Sequence, residues 1–339
     1  MIKVFIFFFI FCFVLFIYLH VQFHLKTSND LEVYELEDGS KDKLDEICDL
    51  RQPVLFDFDN DKIIQTVNKS YILENFSAFE IKIRNSNDTD YINEIYMPLP
   101  LVSAKKLFDE DKSQSYFSEN NSDFLTETGL KKNMLYNDEF IRPPMVSNCN
   151  YDVLFGSQDT CTPFRYKINY RNFFVVTEGS IKIKLSPPHS SKYLHCICDY
   201  ENFEFRSPMN PWKIQPRYSA DFDKIKCLEI ILLPGKTINI PPYWWYSIKF
   251  EKDASVACFH YKTYMNNIAI LPHIGMYVLQ MQNVKREVVK KHDIKKYNQK
   301  LQETKDFCEL QKKQKEQEKE EQEEQEKEEQ EKEEQEKNK

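Results

Sequence analysis

Between Gln52 and Tyr261 the chain is cut into short apolar runs by Pro, Gly and Asn-Asp punctuation, and this spacing constrains the fold more than any other feature. Runs at 54–58, 79–83, 151–155, 173–177, 181–185, 227–233, 237–240, 246–250 and 255–259 are too short for ordinary helices. They are rich in β-branched and aromatic residues, so each predicts a strand. Ile181, Ile183 and Leu185 alternate with Lys182 and Lys184, which predicts one buried and one wet face. With only six glycines in 339 residues, each is expected to mark a turn. Gly179 and Pro234-Gly235-Lys236 are expected to close hairpins. Helices are expected at 104–109, at 124–128 and from Met265 to about Asn298. Aromatic content of 14% excludes a disordered body. Evenly spaced strands with flanking helices predict a mainly β fold, a barrel or jelly roll with helical decoration.

The ends differ from the body. Residues 4–19 (VFIFFFIFCFVLFIYL) are unbroken apolar sequence, and Val21 and Phe23 carry the run past His20. That length matches the roughly 20 residues a helix needs to cross a bilayer. No small-x-small cleavage site follows, which favours an uncleaved signal anchor over a cleaved signal peptide. Lys3 precedes the run, while Glu32, Glu35, Glu37 and Asp38 follow Lys26, favouring a cytoplasmic N-terminus and a luminal or extracellular body. Sequons at Asn68, Asn75, Asn87 and Asn120 are compatible with that side. At the other end, residues 311–339 hold 13 Glu against 8 Lys, so −5 of the net −8 lies there. This tail has no apolar seam and is expected to be a solvated helix or a disordered brush. A basic stretch at 285–300 is expected to be a solvated helix face or a surface for acidic lipid or a partner. The remaining chain is nearly balanced, so no basic field argues for nucleic acid.

The nine cysteines leave the redox compartment open. Cys196-Ile197-Cys198 beside His195 invites a metal reading, but strand alternation accounts for it equally, and no second pair has zinc spacing. No phosphate-binding glycine loop, nucleophile elbow or zinc-protease helix is present in the sequence.

The order of segments is more specific. Thr162-Pro163-Phe164-Arg165-Tyr166-Lys167, Asn172-Phe173-Phe174, Gly179 and Leu185-Ser186-Pro187-Pro188 resemble the first half of a JmjC/cupin-like domain. Leu233-Pro234-Gly235-Lys236, Ile240-Pro241-Pro242-Tyr243-Trp244-Trp245-Tyr246 and Ser255-Val256-Ala257-Cys258-Phe259 resemble its second half. The resemblance spans roughly residues 48–290, and it implies a double-stranded β-helix enclosing a pocket. Active members of that family are Fe(II)- and 2-oxoglutarate-dependent oxygenases acting on proteins or nucleic acids. Their metal is held by His-x-Asp/Glu on one strand and a distal His, which leaves open positions for cosubstrate and oxygen.

The matching positions here are Arg165, Lys167 and Tyr246. A guanidinium has no lone pair to offer, a lysine must first lose its proton, and a phenol is a reluctant ligand. The family's cosubstrate lysine aligns with Ile181, next to Lys182, and its late-strand polar residue aligns with Cys258. Thr162 and Asn172 keep the family's residue type, and Trp245 completes the candidate pocket. Arg165 and Lys167 share one strand face, opposite Phe164, Tyr166 and Ile168. Either the cations enter the pocket and bind a carboxylate or phosphate, or the apolar trio packs inward and they are solvated or locally paired. Tyr246 is expected to fill the pocket with its hydroxyl bound to one partner. His189, His195, His260 and His273 are the alternative ligands, with a structural role expected for each.

These observations predict a transmembrane anchor over 1–25, a linker over 26–47, the cupin-like domain over 48–290 and the tail over 291–339. The expected function is a membrane-anchored, catalytically inactive binding or scaffold module that needs no cofactor. The alternative is an Fe(II)/2-oxoglutarate-dependent protein hydroxylase with non-standard ligands. Expected partners are the membrane, through residues 4–23, an unidentified protein, and a second copy through the apolar stretch at 268–279.

Overall fold

Alternating burial along the strands builds two sheets that face each other. The computed structural model describes residues 2–37, 39–58, 60–87 and 96–286. The expected tail and most of the basic stretch lie outside them. The strands are β1 (Tyr34–Leu36), β2 (Val54–Asp57), β3 (Glu80–Asn85), β4 (Met97–Pro100) and β5 (Tyr116–Ser118). Next come β6 (Val146–Gly156), β7 (Arg165–Tyr166), β8 (Arg171–Glu178), β9 (Ile181–Ser186) and β10 (Ile197–Asp199). The last are β11 (Glu204–Arg206), β12 (Leu228–Leu232), β13 (Lys236–Asn239), β14 (Trp245–Phe250) and β15 (Ser255–Thr263). One sheet has nine strands in the order β1-β2-β13-β8-β15-β6-β5-β3-β4, and the other has six in the order β10-β11-β7-β14-β9-β12. The fold is mainly β, a cupin-like jelly roll with flanking helices.

Between the sheets lie Phe117, Leu154, Phe174, Val176, Ile181, Ile183, Leu185, Tyr246, Ile248, Val256 and Cys258. The outer face of the large sheet is buried too. Phe173, Val175, Ala257, Phe259 and Tyr261 pack against Leu44, Ile63, Ile72, Leu125 and Met134 of the surrounding helices. Central strands β8 and β15 are therefore apolar on both faces, as strands covered on both sides must be. Strand β9, between β14 and β12, shows the expected alternation, with Lys182 and Lys184 at its wetter face.

The turns at Gly179 and Gly235 are not hairpins. β8 and β13 belong to the large sheet, and β9 and β12 to the small one, so each turn carries the chain from one sheet to the other. Both sheets must bury apolar faces against the same core, and successive strands on opposite walls achieve this. Residues 26–47 are also more than a linker. β1 pairs in parallel with β2, and the helix Lys41–Cys48, capped by Ser40, buries Leu44 and Cys48 in the core. The helix expected from Met265 is broken at Ile270 into Tyr264–Ala269 and Leu271–Arg286. Pro272, which lacks an N–H, sits in the first turn of the second helix, where none is needed. Leu271, Met276, Val278 and Leu279 are exposed on that helix.

The N-terminal helix Ile2–Leu25 is long and apolar enough to cross a membrane, and its apolar window is unburied. Its last turn touches the domain. The Arg51 guanidinium donates to Phe23 O at 3.4 Å and lies over the Phe23 and Tyr170 rings at 5.1 and 4.9 Å. His24 Nε2 lies 3.3 Å from Thr263 Oγ1.

Gly179 has φ +64°, and a Cβ there would stand 2.7 Å from the backbone Cα of Ala254. Gly235 has φ +85° but open space around it. Gly179→Ala is expected to destabilise the domain by more than about 2 kcal/mol, and Gly235→Ala by about 1 kcal/mol, in urea unfolding.

Candidate functional site

β7 is short, yet both of its faces are buried. Phe164 turns outward into a cluster with Leu194, Met209, Ile225 and Trp245, and Tyr166 stacks on Phe205 with ring centroids 5.0 Å apart. Arg165, between them, turns into the barrel. Tyr246 lies directly opposite it in the β7–β14 register, so the two side chains share the inner face. The Tyr246 ring sits 5.9 Å from the guanidinium and 5.2 Å from the Phe174 ring. The register therefore sends Arg165 inward, but paired rather than solvated, and the apolar trio packs under an outer cover rather than inside the barrel.

The pairing is with carboxylates from distant segments. Arg165 Nη1 donates to Glu119 Oε1 at 3.1 Å and Glu204 Oε1 at 3.2 Å, and Nη2 donates to Glu119 Oε2. Arg84 Nη1 donates to Glu119 Oε1 at 2.7 Å and to Glu204 Oε1 and Oε2 at 2.9 and 3.1 Å. The Tyr96 hydroxyl adds a third donor to Glu119 at 3.2 Å, and Arg206 Nη1 lies 3.6 Å from Glu204 Oε2. The four central side chains are no more than 6% exposed. Burial opposes the charge on each member, but its partners win. Arg84 and Arg165 are held charged beyond their ordinary range, Glu119 lies well below the usual carboxylate range, and the Glu204 pKa is lowered as well.

The turn that presents Glu119 is itself pinned. Asp152 accepts from the backbone N–H groups of Asn120 and Asn121, each at 2.7 Å, and of Val153 at 2.8 Å. Burial nevertheless pushes its carboxyl up to about 6. Asn120, at φ +62°, takes the left-handed conformation that this turn needs.

The expected pocket residues divide. Arg165 and Tyr246 meet inside the barrel, and Cys258 and Ile181 belong to the same core, Ile181 further along β9 opposite Phe250. The Tyr246 hydroxyl, expected to be bonded, has no hydrogen-bond partner among the described residues, and burial raises its pKa. Trp245 does not line the pocket. Strand alternation puts it opposite Tyr246, in the outer cluster, with its indole N–H donating to Ser191 Oγ at 2.8 Å. Thr162 closes the sheet, its Oγ1 accepting from Ile248 N at 2.9 Å. Asn172 binds Ile240 O at 3.1 Å and faces His260, whose Nδ1 lies 3.0 Å from Asn172 Oδ1. Burial and then Lys167 push the His260 pKa well down.

Lys167 is half-buried and has no ion pair among the described residues. Burial, and then the Arg165 charge, lower its pKa. Its ammonium is the one cation of this group without a carboxylate among the described residues. The other histidines lie apart. His195 meets Asp221 at 2.9 Å, His273 packs on Tyr200 and Phe205, and His189 is exposed. Among the described residues no group of three His, Cys, Asp or Glu side chains is placed to hold a metal ion. The donors around Arg165 do not fit a divalent cation, because guanidinium groups already hold both carboxylates and present no lone pair. Of the sequons, Asn75, Asn87 and Asn120 are exposed, whereas the Asn68 amide donates to Ile64 O and Gln65 O in its helix cap.

Sequence reasoning missed Arg84, Glu119, Asp152 and Glu204. Each is a lone charge on or beside a short strand, far in sequence from its partners, so no local pattern marks it.

A jelly roll of two facing sheets, with the neighbouring strands β7 and β14 turning Arg165 and Tyr246 into its interior, defines a cupin-type domain. The chain belongs to the family described as the cupin-like domain, whose model matches residues 22–267. That match begins before the expected boundary at 48, in keeping with the packed β1 and Lys41–Cys48 helix. No curated protein matches the chain.

Replacing Glu119 by Gln leaves buried guanidinium charge uncompensated and is expected to cost about 3–5 kcal/mol at pH 7 in chemical unfolding. Because the folded pKa values of Glu119 and Glu204 lie below their unfolded values, their contribution is present above about pH 4.5 and lost as pH falls below it. The variant is expected to show a shallower acid loss than the parent in the same titration.

Proposed function

We propose that this chain is a single-pass, membrane-anchored cupin-like module that binds a partner or ligand and does not catalyse. The observation that carries the reading is the ion-pair network at the barrel centre, with Arg165 between Glu119 and Glu204 where the family's iron chemistry needs neutral donors. Fe(II) there would have to displace guanidinium groups from both carboxylates, and the guanidinium groups themselves offer it no lone pair. Oxygen activation and 2-oxoglutarate binding have no ligand set on these side chains. Among the described residues the Lys167 ammonium has no ion pair and the Tyr246 hydroxyl no hydrogen-bond partner, and the two suit an anionic group, a carboxylate or a phosphate, brought by the ligand.

The exposed apolar N-terminal helix supports the anchor. Lys3 before it and the acidic residues after it favour a luminal or extracellular domain, and there the exposed Asn75, Asn87 and Asn120 would be open to glycosylation.

Anaerobic reconstitution with Fe(II) and 2-oxoglutarate is expected to leave iron far below one per chain and to give no succinate. Stoichiometric iron with turnover would overturn the reading. A thermal-shift series with small carboxylates and phosphate is expected to raise Tm in the parent and not in Lys167→Ala, since a ligand that binds only the native state stabilises it. No shift at millimolar concentration would remove the anion site.

A further inference from the structure

Beyond the barrel centre, the edge of the six-stranded sheet carries two neighbouring thiols. Cys196 and Cys198 flank Ile197 at the start of β10, the outermost strand of the six-stranded sheet, and their Sγ atoms lie 3.8 Å apart. Two residues apart on a strand, they share one face. Cys198 is exposed, whereas Cys196 is half-buried beside Tyr166 and the clusters around Trp245 and Phe205. Ile197 and Cys198 are held in register opposite Arg206 and Phe205 of β11.

A metal clip is the competing use of such a pair, and among the described residues it lacks a third donor. His195 is engaged with Asp221, and Asp199 accepts from Asn202 at 2.7 Å and from Glu201 N at 3.0 Å. A dithiol that can close needs less. The two Sγ atoms are 3.8 Å apart, and a bond requires them to close to about 2.05 Å. Two residues along a strand span about 6.6–6.8 Å between Cα atoms, at the upper end of the range disulfides accept. The closed form is therefore strained and easily reopened.

We propose that Cys196 and Cys198 form a reversible dithiol–disulfide site that exchanges with disulfides in solution or on other proteins. Cys198, the exposed thiol, loses its proton and attacks one sulfur of a disulfide R–S–S–R. The S–S bond breaks and the departing thiolate takes up a proton. Cys196 then loses its proton and attacks Cys198 Sγ, expelling the second R–S⁻, which is protonated in turn. The pair gives up two electrons and two protons, and the incoming disulfide gains them. The order of attack follows exposure. Burial, and then the neighbouring Cys198, push the Cys196 thiol up to about 12, so it is a poor first nucleophile. The site is independent of what the barrel binds.

The test uses the full chain in detergent, equilibrated in glutathione buffers from reducing to oxidising, acid-quenched and digested with trypsin. The peptide covering 193–206 is expected to become two hydrogens lighter as glutathione disulfide rises, and to return on treatment with dithiothreitol. Cys196→Ser is expected to retain a lasting glutathione adduct on Cys198. Cys198→Ser is expected to acquire its adduct roughly tenfold more slowly. A peptide mass that never changes, a disulfide joining either cysteine to another chain, or equal adduct rates in the two variants would overturn the proposal.

Discussion

The ion pairs joining Arg84, Glu119, Arg165 and Glu204 set the terms for the rest of the domain. They tie β3, the turn after β5, β7 and β11 to one point inside the barrel. Such a network is not by itself a large source of stability, because desolvating four charges consumes most of what their attraction returns. Its importance lies in the asymmetry. Intact, it is satisfied; with one member removed, it leaves a charge with nowhere to go. The fold is thereby committed to a single arrangement of four short segments that would otherwise have little to hold them in register.

The same commitment shapes the chemistry. A barrel centre filled by mutually paired guanidinium and carboxylate groups has a preorganised field, but it offers no neutral donor cluster. Lys167, which has no ion pair among the described residues, sits where burial and Arg165 both work against its charge. His260, kept neutral nearby and turned toward Asn172, adds no competing charge. The outer layer of helices seals the large sheet and leaves the small sheet to carry the exposed edge at β10.

Much of this was legible beforehand. Strand positions followed from short β-branched and aromatic runs, and the jelly roll followed from the Leu233-Pro234-Gly235-Lys236 and Ile240-Pro241-Pro242 blocks with the strands around them. Gly179 and Gly235 were recognisable as turns, because a residue without a Cβ is needed at positive φ. Whether they joined strands of one sheet or of two was not. A turn has the same local chemistry in both cases, and only the pairing partners of β8, β9, β12 and β13 distinguish them. Trp245 was misplaced for a related reason. Alternation separates it from Tyr246 but does not say which of the two faces the interior when both sides of the sheet are covered.

The sequence alone determined the class of fold and the apolar N-terminal helix, because these depend on composition and spacing within short stretches. Tertiary structure decided that Arg165 points inward, that Glu119 and Glu204 meet it, and that Lys167 is left over. Those outcomes depend on charges brought together from positions 84, 119, 165 and 204, and no local pattern encodes a meeting that only the closed barrel creates.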